Sequence, residues 1–227
     1  MIAGHDTTST TFTWGLKFLS DHPTVQSKLR DALHEALPDA NLQARQPTTE
    51  EIVRSHIPYV DAVQEEIHRK SLTAPLNPRM TLKDTVILGY HVPKGTDVLL
   101  MNNGPGFLMP TMDIKEDVRS ESSRKAAGRI GEWDPSDMGD FKPERWLTKD
   151  EQGQVQFNPT AGPSLPFGAG PRGCYGKRLA YLQLKCLLTL IVWNFELGYA
   201  GDKLANYKAE DLMTHQPQQC YLKLKVL

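Results

Sequence analysis

The sequence predicts a mainly α-helical chain with small β-sheets. Apolar residues recur at helical spacing over the first 70 residues and again near residues 175–195. Between them, short apolar runs are broken by Gly and Pro, the mark of short strands joined by turns. No alternating strand–helix pattern runs along the chain, which argues against a doubly wound parallel sheet.

Residues 1–21 read as a helix already under way, dense in Thr and Ser from Thr7 to Thr11. Pro23 opens a second helix carrying Val25, Leu29, Ala32, Leu33 and Leu37, and Pro38 ends it. Thr48 or Thr49 can cap a short helix with Glu51 and Ile52. Pro58 leads into a helix over Tyr59–Lys70, with Val60, Val63 and Ile67 on one face. Residues 79–101 hold Met80, Leu82, Val86, Leu88, Val92, Val98 and Leu100, interrupted by Gly89 and by Pro93-Lys94-Gly95, and read as strands. Residues 102–166 are rich in Gly, Pro and charge and read as loop with short helices, with Ser120–Arg129 exposed. Tyr175–Phe195 is a buried helix through Leu179, Leu182, Leu187, Leu190 and Ile191, and Tyr221 to Val226 a closing strand.

Composition narrows the function. Hydrophobic residues make up 39% and charged residues 23% of the 227, and the net charge is -1. Such a balance suits a folded domain and offers no basic field for nucleic acid. Cys174, Cys186 and Cys220 are too few and too irregularly spaced for a disulfide framework, so a reducing, intracellular compartment is expected. Zinc is not expected, since HExxH is absent and the histidines are scattered. The longest apolar run, near Cys186 to Trp193, falls short of a membrane span, and the first residues lack the pattern of a targeting segment.

The segment Phe167-Gly168-Ala169-Gly170-Pro171-Arg172-Gly173-Cys174-Tyr175-Gly176 carries the chemistry. Its glycines let something bulky approach the backbone. Cys174 falls where the long helix begins, and a helix N-terminus favours thiolate over thiol. Arg172 adds a positive charge that can pair with a carboxylate. Gly168, Gly170 and Gly173 also fit GxGxxG, but Pro159, Pro163 and Pro166 stand where that dinucleotide fingerprint needs a strand. A lone cysteine is ordinarily a small buried hydrophobe, the reading taken for Cys186 and Cys220.

Phe167, Gly170, Arg172, Cys174 and Gly176 resemble the haem signature FxxGxRxCxG of the cytochrome P-450 family at every fixed position. Upstream, Glu66 and Arg69 form an ExxR pair on one helix face, and Phe141-Lys142-Pro143-Glu144-Arg145-Trp146 is similar to the family's PERF segment with Trp for Phe. Ala3-Gly4-His5-Asp6-Thr7-Thr8 resembles its oxygen-activation motif. The resemblance covers essentially the whole chain, in the family's order, but only about half of the family's fold.

What the resemblance implies is specific. Cys174 is the thiolate ligand to the iron of haem b. Asp6 relays protons, the Thr7 hydroxyl stands beside bound oxygen, and Gly4 opens the helix. Glu66, Arg69 and Arg145 form a buried structural network, and Arg79 pairs with a haem propionate. Ser71–Asn77 and the turn near Met213 and Thr214 line the substrate pocket. The reaction is monooxygenation of a small apolar organic substrate with dioxygen and electrons from a reductase, which Lys177, Arg178 and Lys185 are placed to meet. Full-length relatives often lie at the endoplasmic reticulum membrane. Residues 1–227 are then a single incomplete domain, the C-terminal part of the fold truncated at its N-terminus. A contrasting expectation is an inactive fragment, or the product of a misassigned gene start, that keeps the motifs without catalysis. A haem-thiolate isomerase or dehydratase is a further class, disfavoured by the retained Asp6 and Thr7.

Overall fold

The computed structural model describes residues 2–227, with side chains from residue 4 onward. Helices come first: α1 (Ile2–Asp21), α2 (Pro23–Ala36), α3 (Pro38–Leu42), α4 (Thr49–Arg54) and α5 (Pro58–Ser71). Pro at the first helical position starts α2, α3 and α5, where its missing N–H is no loss. Pro38 therefore both closes α2 and opens α3, a short helix that the periodicity does not announce. Thr48 caps α4 in a full capping box: its hydroxyl accepts from Glu51 N, and the Glu51 carboxylate accepts from Thr48 N at 2.7 Å.

Strands follow as two ribbons, β1 (Leu76–Met80) with β4 (Asp97–Met101) and β2 (Thr85–Ile87) with β3 (Tyr90–Val92). The segment from Asn102 to Pro166 holds the exposed helix α6 (Glu121–Ala126) and the hairpin β5 (Leu147–Lys149) with β6 (Val155–Phe157). The long helix α7 runs Lys177–Asn194. It stops at Phe195, which starts β7 (Phe195–Tyr199) rather than ending the helix. Strand β10 (Leu222–Val226) pairs with β7, enclosing the small hairpin β8 (Ala209–Asp211) and β9 (His215–Pro217). The mainly α architecture with small antiparallel sheets is the one the sequence predicts.

One apolar core joins α1 (Trp14, Phe18, Leu19), α2 (Leu29, Leu33), α5 (Val60, Val63, Ile67) and α7 (Leu184, Leu188, Val192). Glycine brings α1 and α5 close: a Cβ at Gly15 would stand 2.9 Å from Ile67 Cδ1. A second cluster, Ala62, Trp133, Met138 and Trp146, packs on the other side of α5. Helix α5 is thus held between two cores. Its C-terminal residues are fixed where the cavity described below opens.

Candidate functional site

The cysteine loop is shaped by its glycines. Gly168 and Gly170 have φ of +64° and +66°, a region that side chains with a Cβ disfavour. A single turn over Gly170–Arg172 follows, and Cys174 N donates to Phe167 O at 2.8 Å, closing the loop on itself. Cys174 is exposed and precedes α7, whose N-cap is Gly176. The thiol therefore stands just ahead of the helix, not within its first turn.

Cys174 lines a cavity of about 250 Å³. One wall is the loop itself, with Phe167 and Arg172, backed by Ala180 and Leu184 of α7. Thr7, Thr8 and Thr11 of α1 form another, and Ser71 to Ala74, from the last residue of α5 onward, a third. His68 and Arg69 of α5, with Asn77, Asn102, Phe107 and Ser164 to Pro166, complete it. The structure brings Thr7, Phe167, Arg172 and Cys174 around one space. Gly170 is not among its lining residues, and a Cβ there would meet nothing within 4 Å.

Other expected residues lie elsewhere. Asp6 does not line the cavity: it is half exposed, with Oδ1 3.0 Å from His5 Nδ1. Arg79 donates to Pro78 O at 2.8 Å and shares a strand face with Asn77, which does line the cavity. Thr214 is buried against Thr10, and Met213 is exposed away from the cavity.

Behind the cavity, Glu66, Arg69 and Arg145 meet. The fully buried Glu66 carboxylate accepts from Arg69 Nε (2.8 Å) and Nη2 (2.7 Å), Arg145 Nε (3.2 Å), Lys142 N (2.9 Å) and Trp146 Nε1 (2.9 Å). Arg69 also donates to the carbonyls of Phe107, Met138 and Asp140. Arg145 donates to Asp137, whose carboxyl is held below its usual range by hydrogen bonds from Lys142 and Arg145. Both guanidinium groups lie over the Trp133 ring, at 5.5 and 5.3 Å.

A family model described as cytochrome P-450 matches residues 1–104 and 134–223. The chain belongs to the cytochrome P-450 family. It is 42% identical over 228 residues to a cytochrome P-450 monooxygenase of Pestalotiopsis microspora, covering 100% of this chain and 40% of that protein. A cytochrome P-450 monooxygenase of Fusarium sporotrichioides is 41% identical over 237 residues, covering 99% of this chain and 40% of its own length. A third, from Dothistroma septosporum, is 38% identical over 237 residues, and there the match covers 75% of the relative. The chain thus spans about 40% of the length of the first two relatives. The family is enzymatic, and a haem cofactor goes with it in general terms. No helix among the described residues is long and apolar enough to cross a membrane.

Within this cytochrome P-450 chain, several cavity residues carry no family motif. His68, next to Arg69 on α5, is buried, lines the cavity, and packs edge-on to Phe167 at 4.8 Å. Burial, and then Lys177, push its pKa down to about 3, so it is neutral. Its Nε2 and the hydroxyl of Ser164 have no hydrogen-bond partner among the described residues. Thr11 was discoverable as the residue one helical turn after Thr7. His68 and Ser164 had no such signal. Of the basic residues on α7, Lys177 and Arg178 are exposed, but Lys185 is half-buried and donates to Ser55 O at 2.6 Å, which takes it out of an open basic face.

Proposed function

We propose that this protein is a haem-dependent monooxygenase of an apolar organic substrate, with Cys174 as the residue that would hold the haem b iron through its thiolate. The observation that carries the reading is the exposed Cys174 thiol on the wall of the same cavity that Thr7 lines. The residues present fit the cofactor. A thiolate is a soft donor suited to haem iron. The loop leaves open space at Gly170, and two buried polar atoms, His68 Nε2 and Ser164 Oγ, border the cavity unpartnered. Arg172 and Arg79 are the cations we assign to the haem carboxylates, and Phe167 and Gly176 flank the ligand in sequence.

Bound haem would supply the redox-active iron at which dioxygen is activated. The chain's own part is to exclude water and to hold protons. Leu72, Phe107, Leu165, Pro166 and Leu184 give the cavity its apolar surface. Asp6 is half exposed beside Thr7, which is itself exposed and lines the cavity. We assign Asp6 and the Thr7 hydroxyl to a proton route from solvent into the cavity on their adjacency in α1. Lys177 and Arg178, exposed beside the cysteine loop, are the surface we assign to an electron-donating reductase.

A second reading is that residues 1–227 are one incomplete domain that keeps the motifs without catalysis. The exposed Leu179, Leu182, Leu187 and Leu190 on α7 favour it, because an apolar helix face ordinarily packs on something. The reduced-plus-carbon-monoxide difference spectrum of the purified chain given haem separates the two. A thiolate-type Soret band, lost in Cys174→Ala, supports the first reading. Absent haem uptake, or a histidine-type spectrum in both proteins, overturns it in favour of the second.

A further inference from the structure

We infer that the cavity takes a substrate that already carries a hydroxyl group, recognised by a file of three side-chain hydroxyls that can accept hydrogen bonds but not donate them. The inference rests on the proposed monooxygenase reading, with the haem at the Cys174 wall of this cavity and the organic substrate beside it at the wall of Ser71 and Thr73. Thr11 Oγ1 donates to Thr7 O at 2.9 Å, within the helix. A hydroxyl has one proton and two lone pairs, so Thr11 has no proton left. In its 2.7 Å contact with Thr73 Oγ1, Thr73 must therefore be the donor. By the same count Ser71 must donate across the 3.1 Å contact from Ser71 Oγ to Thr73 Oγ1. The longer contact from Ser71 Oγ to His68 O, 3.4 Å, would engage the same proton. The Thr11 proton is taken by the Thr7 carbonyl of its own helix and the Thr73 and Ser71 protons run along the file, so the unused valences of Ser71, Thr73 and Thr11 are lone pairs.

These three residues line the cavity together with apolar Leu72, Phe107 and Leu165. Such a wall holds a carbon skeleton and satisfies an alcohol O–H. A ketone or ester oxygen placed there would face lone pairs and lose its hydrogen bonds to water without replacement. The substrate is then an alcohol, and the step that supplies it is one that installs or unmasks a hydroxyl: an oxygenation, a carbonyl reduction, a hydration or a hydrolysis.

The test is calorimetric titration of the purified full chain, supplied with haem, with menthol and menthone, which share one carbon skeleton. Menthol is expected to bind about tenfold tighter. The preference should fall towards unity in Thr73→Val and in Ser71→Ala, with menthone binding little changed. Equal binding, a preference for menthone, no menthol binding, or a preference that survives both substitutions overturns the inference. Haem uptake is read separately from the Soret band. The titration is run whether or not haem is bound, because Ser71, Thr73 and Thr11 lie outside the cysteine loop, so loss of the cofactor reading and loss of the hydroxyl file are told apart.

Discussion

Glu66 gathers its donors from two stretches of chain: Arg69 on its own helix, and Lys142 N, Arg145 and the Trp146 indole just before the β5–β6 hairpin. Removing Arg69 leaves a buried carboxylate short of its main partner, so Arg69→Ala should cost roughly 3–5 kcal/mol in chemical denaturation. Trp146→Phe keeps most of the ring but deletes one N–H to a charged acceptor, and should cost roughly 1.5–3 kcal/mol. A cost near zero would mean that the indole bond adds nothing beyond packing. His68 gives a pH prediction. Its folded pKa, about 3, lies below the ordinary 6.5, so the unfolded chain binds more protons between those values. Its stabilising contribution is present above about pH 6.5 and is lost as pH falls towards 3, at no more than about 1.4 kcal/mol per pH unit. Urea unfolding across that window should show a shallower pH dependence in His68→Leu. Cys174, Glu66, Arg69 and Arg145 could be picked from the sequence because each sits in a spaced motif. His68 could not, since a histidine inside ExxR looks like any helical residue until its burial is seen.

Helix geometry explains why Asp6 and Thr7 part company. Successive residues are about 100° apart on a helix. Thr7, Thr11 and Thr8 therefore fall within about 100° of arc on α1 and line the cavity, whereas Asp6 lies about 100° outside that arc and does not. Helix starts were legible in the chain because Pro23, Pro58 and Thr48 have strong positional preferences. The hairpins β5–β6 and β8–β9 were not, because strands this short carry almost no alternation and lie among Gly, Asp and Pro. The turn before the cysteine loop offers a test of close packing. A Cβ at Gly162 would lie 2.4 Å from the Trp133 ring, whose Nε1 donates to Pro163 O. Gly162→Ala should therefore destabilise by roughly 1–3 kcal/mol through overpacking. It should also perturb Trp133 fluorescence, and an unshifted emission would mean that the loop yields instead.

Across the whole molecule, α1, α2, α5 and α7 share one core, yet α7 also shows Leu179, Leu182, Leu187 and Leu190 to solvent. The purified chain should self-associate as its concentration rises, and Leu179→Glu with Leu182→Glu should hold it monomeric by light scattering. A monodisperse wild-type chain would show that this face needs no cover. Every sheet among the described residues is a ribbon of two strands: β1 with β4, β2 with β3, β5 with β6, β8 with β9, and β7 with β10. In a two-stranded ribbon each strand bonds along only one edge, so alternate peptide groups look outwards. Deuterium should enter the molecule unevenly as a result. Amides of α1, α5 and α7 should retain hydrogen longest, whereas the ribbons should label early, as a soft rim around a slow helical centre.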